Sequence, residues 1–258
     1  MSQLYNILVF RGGGVKGIAY AGSIAELEEL GLYQEVERVS GTSAGAITSL
    51  LVALQYDSKQ IMEILSGTSF KDFMDRPNIF RIFTKYGYYK GAFALKWLRK
   101  LVSNSKLGLG PHATFADLKK AGWKEMYVFA TDVNTHRAYE FSFRNTPNTQ
   151  IAEAARASMS IPMFFSAFRF SHNQPNDNLF VDGGMVYNYP MGIFDEKEFL
   201  PEGQTSGPNP ETLGFYFVPK PGTQPKIHKF GYSQIVKFVV SNFVTLLLAQ
   251  VIDFHLDP

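Results

Sequence analysis

The sequence predicts an α/β fold, a mainly parallel central sheet flanked by helices. Short runs such as Ile7-Leu8-Val9-Phe10 are apolar at every position, as strands buried on both faces require. Helix-spaced segments stand between these runs, and a helix is the usual crossover between parallel strands. The first two runs each pass through a glycine-rich turn directly into their helix.

Taken in order, Ile7-Leu8-Val9-Phe10 is the first strand and Arg11-Gly12-Gly13-Gly14-Val15-Lys16-Gly17 the loop after it. Residues 18–30 follow at helical spacing and stop at Gly31, a residue suited to the left-handed position after a helix. Val36-Glu37-Arg38-Val39-Ser40 is the second strand, Gly41-Thr42-Ser43-Ala44-Gly45 its turn, and residues 46–54 an apolar helix. Residues 58–65 form a short helix. Within residues 70–110, Leu95, Leu98, Leu101 and Val102 share one helix face, with Lys96, Arg99 and Lys100 off it. Thr114 caps a helix that opens at Phe115. Residues 126–132 and 138–143 are strands joined by a turn at Asn134, and residues 151–158 are a short helix closed by Ile161-Pro162. Leu179-Phe180-Val181-Asp182 is a strand ended by Gly183-Gly184, and residues 214–218 form the last strand. The charge-free run 238–252 is short for a transmembrane helix and reads as a buried helix or, as the alternative, a membrane-contacting one.

With 258 residues, 45% of them hydrophobic, the chain can build one large domain or two small ones. It has no Cys, which excludes disulfides, thiolate metal sites and a cysteine nucleophile. The five His residues show no metal-ligand spacing, so no metal cofactor is expected. Residues 1–10 lack the basic start of a signal peptide, which leaves cytoplasmic residence, peripheral membrane contact and specialised export open.

The net charge of +2 hides an asymmetry. No acid lies between Asp75 and Asp117, where eight Lys and Arg stand among many aromatic residues. An anionic membrane, rather than a nucleic acid, is the partner such a tract suits, as a lid or docking surface.

Three stretches carry chemistry. Gly41-x-Ser43-x-Gly45 between a strand and a helix fits a nucleophile elbow, in which glycines on both sides let strand and helix approach. The alternative is a turn in which Ser43 merely caps the helix. Gly12-x-Gly14-x-x-Gly17 fits a dinucleotide fingerprint, although the second strand ends at Gly41-Thr42-Ser43 rather than at an acid. It equally fits an oxyanion hole of consecutive glycine amides, with Lys16 stiffening the loop or simply solvated. Asp182 stands at a strand end before Gly183-Gly184, either as a delivered carboxylate or as an ordinary Asp-Gly turn, with Asn188 and Pro190 placed to brace it.

Together, Gly12-Gly13-Gly14-Val15-Lys16-Gly17, Gly41-Thr42-Ser43-Ala44-Gly45 and Asp182-Gly183-Gly184 resemble, in order and spacing, the motifs of the patatin-like phospholipase family. Ala157-Ser158, Ile161-Pro162 and Asn188-x-Pro190 fit the same pattern, and the resemblance runs from Ile7 to about Pro190. It implies a single three-layer α/β/α domain over 1–258 and hydrolysis of fatty acyl esters of phospholipids or related lipids. Ser43 is then the nucleophile and Asp182 its base, paired directly and without a histidine; His172, the His nearest Asp182 in sequence, is given no part. Gly12, Gly13 and Gly14 would bind the oxyanion with help from the Ala44 amide, and Lys16, Gly17, Gly41, Gly45, Gly183 and Gly184 would support the motifs. Burial is expected to raise the Asp182 pKa, and a direct Ser43–Asp182 hydrogen bond to align the proton transfer. Family members commonly continue with a further strand, so a shortened or partial chain is expected.

Overall fold

The computed structural model describes residues 5–122, 124–170 and 175–218. The run 238–252 and His172 lie outside the described residues.

Strand β1 (Ile7–Phe10) is buried along its whole length, as its unbroken apolar run requires. A 3-10 segment, Gly14–Ala19, leads into α1 (Tyr20–Glu29), and Gly31 follows at φ +71 while the Leu32 amide closes onto the Leu27 carbonyl. Strand β2 (Arg38–Thr42) runs further toward the glycine turn than the apolar pattern alone marks, and α2 (Ala44–Ala53) leaves immediately after Ser43. Every residue of α2 is buried, which explains why its sequence shows no polar face.

Helix α3 (Ser58–Gly67) starts from a capping box formed by Asp57 and Gln60. The basic, aromatic tract forms α4 (Ile79–Lys85), the short β3 (Gly87–Tyr89) and α5 (Ala92–Ser103). Helix α4 buries none of its residues, so it escapes any reading based on core periodicity. Helix α6 (Phe115–Lys120) carries the Thr114 cap, reciprocated by Asp117. Then follow β4 (Glu125–Asp132), β5 (Arg137–Phe141), α7 (Ile151–Ser158), β6 (Met163–Phe165), β7 (Phe180–Asp182) and β8 (Thr212–Phe215).

The main sheet has the order β5-β4-β2-β1-β8, with β7 also paired to β4. Strands β4, β2, β1 and β8 are parallel, while β5 and β7 run antiparallel to β4. Strands β3 and β6 form a separate parallel pair. Alternation along the sheet divides two cores. Leu8, Phe10, Val39, Val128 and Ala130 face the larger one, built with α1, α2, α3, α5, α6 and α7. Ile7, Val9, Tyr127 and Phe129 face the smaller one, covered by Ile193 and Phe194 of a 3-10 segment (Met191–Asp195) and by Phe199.

The register of β4 positions the site. Residues Ala130–Asp132 pair on one side with β5 and on the other with β7, so β7 lies on the β2 side of β4. Strand β2 ends with Thr42 opposite Phe129, and β7 ends with Asp182 opposite Ala130. The two strands run toward each other along one edge and stop at adjacent rungs.

Candidate active site

Ser43 stands one residue beyond the end of β2, with φ 55 and ψ −119. That backbone region is costly for a residue with a Cβ, by about 1–3 kcal/mol, and persists only where surroundings impose it. The imposing contacts are glycine contacts. A Cβ on Gly41 would collide with the Gly45 carbonyl, and one on Gly45 would collide with the Phe10 carbonyl of β1. The Ser43 side chain makes no capping hydrogen bond to α2. The N-cap alternative is therefore not the conformation present, and the hydroxyl is left at the positive end of a ten-residue helix.

The Ser43 amide donates to Ser158 Oγ at 2.9 Å, and Ser158 Oγ donates to the Phe129 carbonyl at 2.6 Å. Helix α7 thus pins the elbow to the rung of β4 where β2 ends. Two residues on, the Ser160 carbonyl accepts the Asp182 amide at 2.8 Å. One short segment fixes the backbones of both Ser43 and Asp182. Sequence reasoning noted Ser158 only as part of a familial pattern; a small hydroxyl at the end of a fully buried helix was the available signal.

Asp182 is only 6% exposed. Its Oδ1 accepts the Gly184 amide at 2.7 Å, and Thr131 Oγ1 donates to its carbonyl. Gly183 and Gly184 continue as a 3-10 turn rather than a hairpin, and a Cβ on Gly183 would strike the Phe129 carbonyl. Burial pushes the Asp182 carboxyl up to about 6, while the Ser43 hydroxyl and the Gly184 amide pull the other way. The Ser43 hydroxyl acts on the carboxyl as a hydrogen-bonding neighbour, without a fully formed bond to Oδ2. Ser43 is near enough to favour the carboxylate, yet Oδ2 is buried with no hydrogen-bond partner among the described residues. An unpaired buried carboxylate oxygen beside a hydroxyl is an acceptor in waiting.

The glycine loop lies alongside, but its three amides differ. The Gly12 amide donates to the Asn188 carbonyl at 3.1 Å and is already engaged. Gly13 and Gly14 make no backbone hydrogen bond as donors among the described residues, and Gly14 takes φ +58. A Cβ on Gly17 would lie 2.9 Å from the Ala44 Cβ, so the glycine lets the loop rest on the start of α2. The Lys16 side chain is exposed. Asn188 braces the glycine loop rather than Asp182 itself: its carbonyl holds Gly12, and its side chain fills the space over Gly12 and Gly184. The ring of Phe217 fills the space over Gly13.

The phenylalanines after Pro162 divide their roles. Phe165 and Phe168 stack near the buried Arg156 guanidinium, and Phe170 packs on Phe141 and Phe180 in the core. Among the described residues no group of His, Asp and Glu could hold a metal ion, and no helix is long and apolar enough to cross a membrane.

Residues 8–195 match the family model described as patatin-like phospholipase. The uncharacterized protein YqhO of Bacillus subtilis is 29% identical over 236 residues, covering 84% of this chain and 73% of that protein. A cUMP-AMP-activated phospholipase of Escherichia coli is 27% identical over 241 residues, covering 88% of this chain and 70% of that one. VipD from Legionella pneumophila shares the fold, with a TM-score of 0.60 at 19% identity over 82% of this chain. The chain spans about half (49%) of the VipD chain it matches.

Proposed function

The chain belongs to the patatin-like phospholipase family, and on that premise we propose that it is a lipid acyl hydrolase working through a Ser43 acyl-enzyme with Asp182 as general base. The observation that carries the reading is the strained Ser43 beside the buried, unpaired Oδ2 of Asp182 at the meeting ends of β2 and β7.

The Ser43 hydroxyl attacks the ester carbonyl carbon while Asp182 Oδ2 takes its proton. A carboxylate with an ordinary pKa is a weak base toward an alcohol; one raised to about 6 is stronger and still ionised at neutral pH. The tetrahedral oxyanion is held by the free amides of Gly13 and Gly14, with Ala44 at the start of α2 adding a third donor. Each such donor is worth about 3–4 kcal/mol to the transition state. Collapse expels the alkoxide, which takes the proton back from Asp182. Water, deprotonated by Asp182, then attacks the acyl-enzyme; collapse of the second tetrahedral intermediate releases the fatty acid, and the departing Ser43 oxygen takes the proton back from Asp182.

Phospholipid or another acyl lipid is the proposed substrate. The segment 70–110 is the proposed lipid-facing part of a single domain, supported by Phe80 and Phe83 of α4, 76% and 80% exposed, and by exposed Lys96 and Lys100. The deciding experiment is intact-mass analysis after fluorophosphonate treatment. One adduct that vanishes in Ser43→Ala supports the acyl-enzyme. The absence of any adduct would favour a lipid-binding role for the scaffold.

A further inference from the structure

A cavity of about 760 Å³ opens between α4, α5 and the start of the segment that follows β6, and none of Ser43, Asp182 and the glycine loop lines it. Half of its sixteen lining residues are Lys or Arg and none is acidic. Among the described residues, no carboxylate pairs with Arg81, Lys85, Lys90, Lys96 or Lys100. Two of the nearby acids pair with cations of the lining itself, and a third caps α5. Glu153 bonds Arg99, Asp177 bonds Arg169, and Asp75 accepts the Ala92 and Phe93 amides at the start of α5.

Two further features separate this cavity from an ordinary solvated basic surface. Arg81 Nε and Arg99 Nε are buried donors with no acceptor among the described residues. Buried N–H groups are nearly always paired, so both arginines keep donor capacity that the described residues do not use. The floor carries Arg156, 1% exposed, whose guanidinium donates, among the described residues, to the Gly91 and Lys90 carbonyls and to Ser160 Oγ. Burial without a bonded carboxylate lowers its pKa to about 10. Gly91, at φ +72, leaves the space this guanidinium occupies. Holding so many like charges together disfavours the folded state unless an anion joins them. Leu95 and Phe168 add an apolar wall.

We propose that this cavity binds the phosphate group of a phosphorylated ligand, with Arg81, Arg99 and the lysines of α4 and α5 as its donors. Guanidinium forks match phosphate oxygens, and the lysines add charge around them. The volume suits a ligand larger than a bare phosphate ion. The proposal does not depend on the acyl-enzyme. The phosphate has two sources, a soluble polyphosphate or the head group of an anionic lipid, and the test separates them.

The full chain carrying Ser43→Ala, which prevents turnover from consuming lipid, is titrated with inorganic tripolyphosphate and with phosphatidylglycerol vesicles, phosphatidylcholine vesicles serving as blank. Binding is compared with that of Arg81→Gln/Lys96→Gln and of Lys85→Gln/Lys100→Gln, the latter pair exposed. Lys59→Gln/Lys197→Gln removes the same charge away from the cavity. Melting temperatures establish that each variant is folded. The expected result is a loss of about tenfold or more in both cavity variants, with the control unchanged and affinity falling with salt. Tripolyphosphate binding assigns a soluble ligand; binding to vesicles alone assigns the head group. No binding of either probe, or an equal effect of cavity and control substitutions, overturns the proposal.

Discussion

Titration of Asp182 links activity and stability in opposite senses, and the two can be measured on one variant. Burial holds its carboxyl at about 6 against an ordinary 3.8, a displacement equivalent to about 3 kcal/mol of disfavoured ionisation. The folded protein therefore keeps the proton more tightly than the unfolded chain. The contribution of this group to stability is full below about pH 3.8 and is lost as the pH rises through about 6. Under the proposed mechanism activity runs the other way, because the base must be ionised. On a soluble p-nitrophenyl ester, kcat/KM should rise about tenfold per pH unit below about pH 6 and level off above it. In Asp182→Asn the side chain is neutral throughout, and its carbonyl oxygen can still accept the Gly184 amide. Urea denaturation of both proteins should show the variant gaining about 3 kcal/mol relative to wild type between about pH 3 and about pH 7, while its hydrolysis is lost. Comparing the two proteins cancels the other carboxylates, including Asp117 and Glu125, whose lowered pKa values act in the opposite direction. A pH-independent stability difference, or an activity limb centred below about pH 5, would refute the assignment of Asp182 as a buried base.

Ser158→Ala removes the acceptor of the Ser43 amide and the donor to Phe129. It should cost about 2 kcal/mol in urea denaturation and lower kcat with little change in KM; an unaltered kcat would show that the elbow holds without it. Both Ser43→Ala and Ser43→Gly should abolish hydrolysis, but the glycine variant should be the more stable by about 1–2 kcal/mol, because φ 55 costs glycine nothing. Equal melting temperatures would mean that the elbow stores no strain. Phe80→Ser/Phe83→Ser should weaken vesicle binding by about tenfold or more, with little salt dependence and no change in melting temperature, since α4 contributes nothing to the core. Unchanged vesicle binding would remove α4 from the lipid-facing surface.

The sequence by itself determined whatever depends on neighbours along the chain. The apolar run of β1, the limits of α7 and the Thr114 cap follow from local pattern and capping chemistry. The glycine spacing around Ser43 follows from the closeness of strand and helix in one turn. Three motifs in order were enough to indicate the family, and residues 8–195 bear that out. Local pattern was silent where a side chain answers to distant partners. Helix α4 has no buried face, so it carries no periodic signal. Arg156 reads as one cation in a short helix, and only packing against Gly91 and Ser160 makes it a buried floor. The engagement of the Gly12 amide depends on Asn188, 176 residues away, and so does the difference between Gly12 and its two neighbours. Above all, Ser43 and Asp182 are separated by most of the domain. Their meeting rests on β7 running antiparallel along β4 and ending one rung beyond β2, and strand direction and register are set by long-range pairing that no local stretch encodes. The raised carboxyl of Asp182 has the same origin, because desolvation comes from every element packed around it and not from the residues on either side.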